Sequence, residues 1–130
     1  MKILSLFDWM SCWQIALNKL WITDYIYFAS EIDKFAISVT QSNYPNTIQL
    51  WDITKLEPTE WWFFDLLIWW SPCQWFSFAG KQLNFEDPRS KLFFEYVRIL
   101  KEEKPKYFML ENVRMKKEYQ DAWERVDSTK

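Results

Sequence analysis

Residues 2–34 read KILSLFDWMSCWQIALNKLWITDYIYFASEIDK, and this stretch decides the fold. Ile3-Leu4-Ser5-Leu6-Phe7 is a short apolar run of β character, closed by Asp8. Between Ser11 and Leu20, the apolar positions Ile15, Ala16, Leu17 and Leu20 form a helical stripe. Tyr25 to Ala29 is aromatic and β-branched and ends at Ser30-Glu31, which predicts a second strand. A strand, a helix and a second strand in this order make a crossover unit, and such units build parallel sheets.

The same alternation continues outward. Lys34 to Tyr44 carries Phe35, Ala36, Val39 and Tyr44 and stops before Pro45, as helices do. Phe64 to Ile68 predicts a third core strand. Ser90 starts a helix with Leu92, Phe93, Tyr96, Val97 and Leu100 on one face, and Pro105 separates it from a strand over Tyr107 to Leu110. From Lys116 onward the chain is polar and expected to be helical. The fold class predicted is α/β, a mostly parallel sheet with helices on both faces. At 130 residues the chain is one domain or part of a larger one. Parallel sheets place ligands at the carboxyl ends of their strands. Asp8, Glu31, Ser71-Pro72-Cys73 and Glu111-Asn112 all fall at such ends and are expected to share one pocket.

Composition narrows the classes. Sixteen Lys and Arg against eighteen Asp and Glu give a net charge of -2, which excludes a strongly basic nucleic-acid clamp but leaves room for a local basic patch. With 26% charged and 49% hydrophobic residues, the chain is globular rather than disordered. The apolar start is too short, and too soon broken by Asp8, for a signal peptide. The run Trp61 to Trp70 contains Asp65 and is about half a membrane crossing. Cys12 and Cys73 are the two cysteines and there is no histidine, which excludes a disulfide framework, a zinc site and a Cys/His nucleophile pair. The expectation is a cytoplasmic, reduced, soluble chain with no metal and no membrane partner.

Five elements then occur in order: Leu6-Phe7-Asp8-x-Met10-Ser11-Cys12, Ser30-Glu31-Ile32-Asp33, Asp52-Ile53, Ser71-Pro72-Cys73-Gln74 with Phe76-Ser77, and Glu111-Asn112-Val113. Together they resemble the opening motifs of the DNA (cytosine-5)-methyltransferase family, over nearly the whole chain. The resemblance implies a Rossmann-like methyltransferase fold, S-adenosyl-L-methionine as cofactor, and methyl transfer to carbon 5 of a cytosine flipped out of double-stranded DNA. It implies Cys73 as the nucleophile that adds to carbon 6 of the ring. Glu111 would hold ring nitrogen 3, which needs a carboxyl at least partly protonated. Asn112 would orient its loop and the Pro72-Cys73 turn, and Arg89 would contact a phosphate or loop. On the cofactor side, Glu31 would accept from the ribose hydroxyls and Asp52 from the adenine amino group. Phe7 and Ile32 would flank the adenine, Asp8 would lie near the methionine amino group, and Ser71 would complete the pocket. Cys12 is read as packing.

The family's later motifs are missing: a Gln-x-Arg-x-Arg element, the target recognition region and the final helix. Residues 1–130 are therefore expected to form the amino-terminal part of the catalytic domain, an incomplete fold that is inactive alone and monomeric within the full-length enzyme. Restriction-modification is the setting that the resemblance implies, with a restriction partner left open. The rival readings are a tRNA cytosine-5 methyltransferase, a non-catalytic methyltransferase-like partner protein and a generic nucleotide-binding α/β domain.

One glycine and ten tryptophans are out of proportion, because ordinary usage predicts roughly nine glycines in a chain this long. Members of the family that the chain resembles have glycine where Trp9, Trp13, Trp51, Trp69, Trp70 and Trp75 stand here, and often near Trp21. A non-glycine residue in left-handed backbone costs about 1–2 kcal/mol. The expectation is that UGA codons meaning glycine have been read as tryptophan, with Gly80 from an ordinary glycine codon and one of Trp61 and Trp62 a genuine tryptophan.

Overall fold

Five parallel strands form one sheet in the order β3-β2-β1-β4-β5. The computed structural model describes residues 1–57, 63–70 and 91–111. Its elements are β1 (Lys2–Leu6), α1 (Cys12–Lys19), β2 (Ile26–Ser30), α2 (Lys34–Asn43), β3 (Ile48–Gln49), a 3-10 turn (Ile53–Lys55), β4 (Leu66–Trp70), α3 (Lys91–Glu103) and β5 (Tyr107–Glu111). The chain runs outward from β1 to β3 and then returns to the other side of β1 with β4 and β5. Strand direction of growth therefore reverses between β1 and β4.

Period-two alternation explains the two cores. Leu4 and Leu6 of β1 and Leu67 and Trp69 of β4 face Tyr96, Val97 and Ile99 of α3, with Ile53 and Leu56 closing the edge. Ile3, Tyr27, Ala29 and Ile68 face the other way, onto Leu17 of α1. With both faces covered, the central strands can be apolar throughout, as parallel strands generally are. Each fully buried Leu or Ile contributes roughly 1.5–3 kcal/mol.

Polar contacts fix the ends. Asp33 caps α2 by accepting from the backbone N–H of Phe35 and of Ala36, each at 2.9 Å, a device worth about 1 kcal/mol. Arg98 of α3 pairs with Glu95 at 2.8 Å and Glu102 at 2.9 Å, and its guanidinium also donates to the Leu56 carbonyl at 2.9 Å. One side chain thus ties the helix to the end of the 3-10 turn.

Several expectations shift. The third strand begins at Leu66 rather than Phe64, although Phe64 is buried just before it. β3 and the 3-10 turn were not anticipated, since two or three residues display no period. In α2 the buried residues are Ala36, Ile37 and Thr40, while Phe35 is 85% exposed. The inward face is chosen by a polar contact: Thr40 Oγ1 lies 3.2 Å from Ser11 Oγ. In α1 Gln14 is buried and Ile15 is exposed for the same reason, with Gln14 Nε2 donating to Thr47 Oγ1 at 2.8 Å. In α3, Ile99 joins Tyr96 and Val97 in the core, while Leu92 and Leu100 are only partly buried. The segment from Lys116 onward lies outside the described residues.

Candidate functional site

The carboxyl end of β2 organises the first half of the site. Beyond Ser30 the chain turns, and three segments are laced around that turn. The Phe7 N–H donates to the Ser30 carbonyl at 2.9 Å and the Trp9 N–H to Glu31 Oε2 at 2.9 Å. Glu31 Oε1 accepts from the N–H of Ile32 at 2.8 Å and of Asp33 at 2.9 Å. Ser30 Oγ donates to the Trp51 carbonyl at 2.8 Å, and the Leu50 N–H to the Ala29 carbonyl at 2.8 Å. An ionised carboxylate offers about four acceptor positions. Three are used at Glu31, which leaves Oε2 able to accept from a ligand hydroxyl.

Two more expected cofactor residues stand on the same rim. Ile32 is 71% exposed, so it belongs to the surface of the site and not to the core. Asp52 accepts from the Thr54 N–H at 2.9 Å and from Thr54 Oγ1 at 2.8 Å. These bonds hold its carboxyl below the usual carboxylate range, so it stays anionic and able to accept.

Asp8 closes the end of β1 from the inside. Its side chain is fully buried, with Tyr27 Oη donating to Oδ1 at 2.7 Å and the Ser11 hydroxyl donating to Oδ2. Burial raises its pKa above the ordinary value, and the hydrogen bonds from Ser11 and Tyr27 act against that rise. A carboxylate committed to the interior anchors the loop from below. Ser11 belongs to the first motif, whereas Tyr27 and Thr40 are residues of this network that no motif contains. The signal for Tyr27 was available: it is a polar tip on the same strand face as buried Ala29.

On the other side of the reversal, β4 and β5 run in register, with Trp69 opposite Leu110 and Trp70 opposite Glu111. Glu111 is thus set beside the last residue of the strand that leads into Ser71-Pro72-Cys73. Ser71, Pro72, Cys73, Arg89 and Asn112 lie outside the described residues. Cys12 is a free thiol at the start of α1, half-buried.

The crevice between β1 and β4 is the topological switch point, where open α/β sheets take their ligands. Glu31, Ile32 and Asp52 suit the adenosine half of S-adenosylmethionine: an acceptor for ribose hydroxyls, an exposed apolar flank and an anionic acceptor for an amino group. The end of β4 is aromatic. Trp13 packs edge-on against Trp70 with ring centroids 5.9 Å apart, and Phe7 leans on Trp69 at 5.8 Å. Both pairs involve an indole from the last two residues of β4. Among the described residues there is no cluster of three or more potential metal-ligating side chains, and no helix long and apolar enough to cross a membrane.

Comparison with known proteins converges on one family. A family model described as C-5 cytosine-specific DNA methylase matches residues 1–125. Type II methyltransferase M.NlaIV of Neisseria lactamica is 46% identical over 116 residues, covering 86% of this chain and 27% of that protein. Orphan methyltransferase M.SPRI of Bacillus phage SPR is 38% identical over 116 residues, covering 88% and 26%. The crystal structure of a DNMT2 mutant from Spodoptera frugiperda superposes with a TM-score of 0.70 at 30% identity, over 96% of this chain and 38% of that one. The chain therefore spans about a quarter of the length of the curated relatives it matches.

Proposed function

Because the chain belongs to the C-5 cytosine-specific DNA methylase family, we propose that it forms the cofactor-binding and nucleophile-bearing part of a DNA cytosine-5 methyltransferase. The observation that carries this reading is the pairing of β4 with β5, which sets Glu111 opposite Trp70, one residue before the Ser71-Pro72-Cys73 element.

S-adenosylmethionine supplies the methyl group when bound. The chain's own residues divide the remaining work. Glu31 accepts from the ribose hydroxyls, Ile32 and Phe7 flank the adenine, Asp52 accepts from its amino group, and Ser71 closes the pocket. Asp8, held by Tyr27 and Ser11, lies near the methionine amino group. Cys73, as thiolate, adds to carbon 6 of a cytosine flipped from duplex DNA, which makes carbon 5 nucleophilic. Glu111 holds a proton at ring nitrogen 3 and so stabilises the adduct. Pro72 and Asn112 set the geometry of the turn that carries the thiol. The enzyme acts as a monomer in the cytoplasm and needs no metal. The parts that read the DNA sequence are supplied by the remaining three quarters of a polypeptide of the relatives' length.

Covalent capture tests the reading. The full polypeptide containing this chain is mixed with S-adenosylmethionine and duplex DNA bearing 5-fluorocytosine at the target base. A denaturation-resistant complex that disappears in Cys73→Ser is expected. Capture of 5-fluorocytosine in RNA but not in DNA would move the substrate to RNA, and no capture of either would overturn the methyltransferase reading.

A further inference from the structure

We infer that the tryptophans at 9, 21 and 51 are glycine in the protein that the gene specifies, the codon being UGA read as glycine. The backbone carries the argument without recourse to any relative. Among the described residues, six that are not glycine have left-handed φ: Phe7 at 57°, Trp9 at 52°, Ser11 at 57°, Trp21 at 60°, Trp51 at 62° and Lys104 at 43°. No described residue is glycine, and only six described residues are tryptophan: 9, 13, 21, 51, 69 and 70. Half of them are left-handed, whereas the other three left-handed residues are of three different types. Left-handed backbone selects glycine, and after it Asn and Asp. Nothing in an indole favours it.

Position 21 is the sharpest case. α1 ends at Lys19, and the Trp21 N–H donates to the Asn18 carbonyl at 3.0 Å while the Ile22 N–H donates to the Leu17 carbonyl at 3.0 Å. This pair of bonds is the Schellman closure of a helix, whose left-handed residue is usually glycine. The Trp21 side chain is 90% exposed, so no packing compensates for the strain. Trp9 and Trp51 are 51% and 55% exposed. Both lie where backbone must pass close to the Ser30-Glu31 turn, one donating its N–H to Glu31 and the other lending its carbonyl to Ser30.

Composition is consistent with a single reassigned codon. One glycine plus ten tryptophans is close to an ordinary glycine quota plus a tryptophan or two. A lineage that accumulated exposed tryptophans for a binding surface would have no reason to place them at positive φ, nor to lose glycine. The same codon at Trp13 and Trp70 accounts for the indole pair they form at 5.9 Å. With glycine at 13 and 70 that indole pair is gone, and the methionine half of the cofactor gains its space. This last consequence rests on the methyltransferase reading; the inference at 9, 21 and 51 does not.

The gene and the native polypeptide test it together. UGA is expected at codons 9, 21 and 51, along with a glycine tRNA of anticodon UCA in the same genome. Tryptic peptides Ile3–Lys19, Leu20–Lys34 and Phe35–Lys55 from the native cells are expected at the masses of their glycine forms. UGG at these codons, or peptides retaining tryptophan there, overturns the inference. The backbone argument has its own check. A chain carrying Trp9→Gly, Trp21→Gly and Trp51→Gly is expected to melt at least about 5 °C above the tryptophan chain. An equal or lower melting temperature removes the strain on which the inference stands. S-adenosylmethionine binding is a separate readout: absence of binding by a chain that does carry glycine at 13, 69 and 70 counts against the methyltransferase reading, not against the codon.

Discussion

Asp8 and Tyr27 make the plainest residue-scale bargain in this protein. A carboxyl buried at the start of a ligand loop is tolerable only because hydroxyls donate to it. Tyr27→Phe removes one donor and leaves Oδ1 buried and unpaired. It is expected to destabilise the fold by about 1–3 kcal/mol in chemical denaturation, well beyond the cost of the lost hydroxyl alone. Glu103 offers a pH-dependent counterpart. Burial, with Glu102 beside it, pushes its carboxyl from 4.5 up to about 7. A raised native pKa means that the folded state binds the proton more tightly. Its stabilising share is complete below about 4.5 and is lost as pH rises through about 7. Glu103→Gln is expected to flatten the stability profile between those limits, measured as denaturation midpoints at steps of pH. An unchanged slope would assign the dependence to other groups, with Asp8, raised by its own burial, the first to examine.

Elements in this fold are positioned by a few polar contacts laid over an apolar sheet. Arg98 shows the principle. Its guanidinium is held by Glu95 and Glu102 of its own helix and donates to the backbone carbonyl of Leu56, so α3 and the 3-10 turn move as one. Arg98→Ala is expected to cost roughly 1–3 kcal/mol and to loosen the Ile53–Lys55 turn, read as faster amide hydrogen exchange there. Because Asp52 caps that turn, the loss reaches the Asp52 carboxyl without touching it. Sequence periodicity located α1, α2, α3 and four of the strands to within two residues, since each is long enough to show a stripe or a run. It turned Leu17 and Ala36 inward, as found, but not the polar residues beside them. Gln14 and Thr40 are buried by hydrogen bonds to Thr47 and Ser11, residues that no helical wheel connects to them.

At the scale of the whole molecule, the sheet order brings the ends of β1, β2, β4 and β5 to one edge, and the site is shared among them. This chain contributes the Glu31-Asp52 rim and the Glu111 carboxyl; the two relatives compared are more than three times its length. Residues 1–130 expressed alone are expected to give no methyl transfer to DNA in a labelled S-adenosylmethionine assay. Turnover by the isolated chain would show that the missing length is dispensable for chemistry. The amino-acid sequence by itself determined the parallel α/β architecture and the strand ends where polar residues gather, because apolar period and strand termination are local properties of the chain. It also carried the ordered motifs that point to the family. Tertiary structure alone decided that Asp8 turns inward while Ile32 stands in solvent, and that Glu111 lies opposite Trp70. It alone set the backbone at 9, 21 and 51 left-handed. Those outcomes depend on which strands pair and which loops must pass one another, and such long-range closure leaves no mark on neighbouring residues.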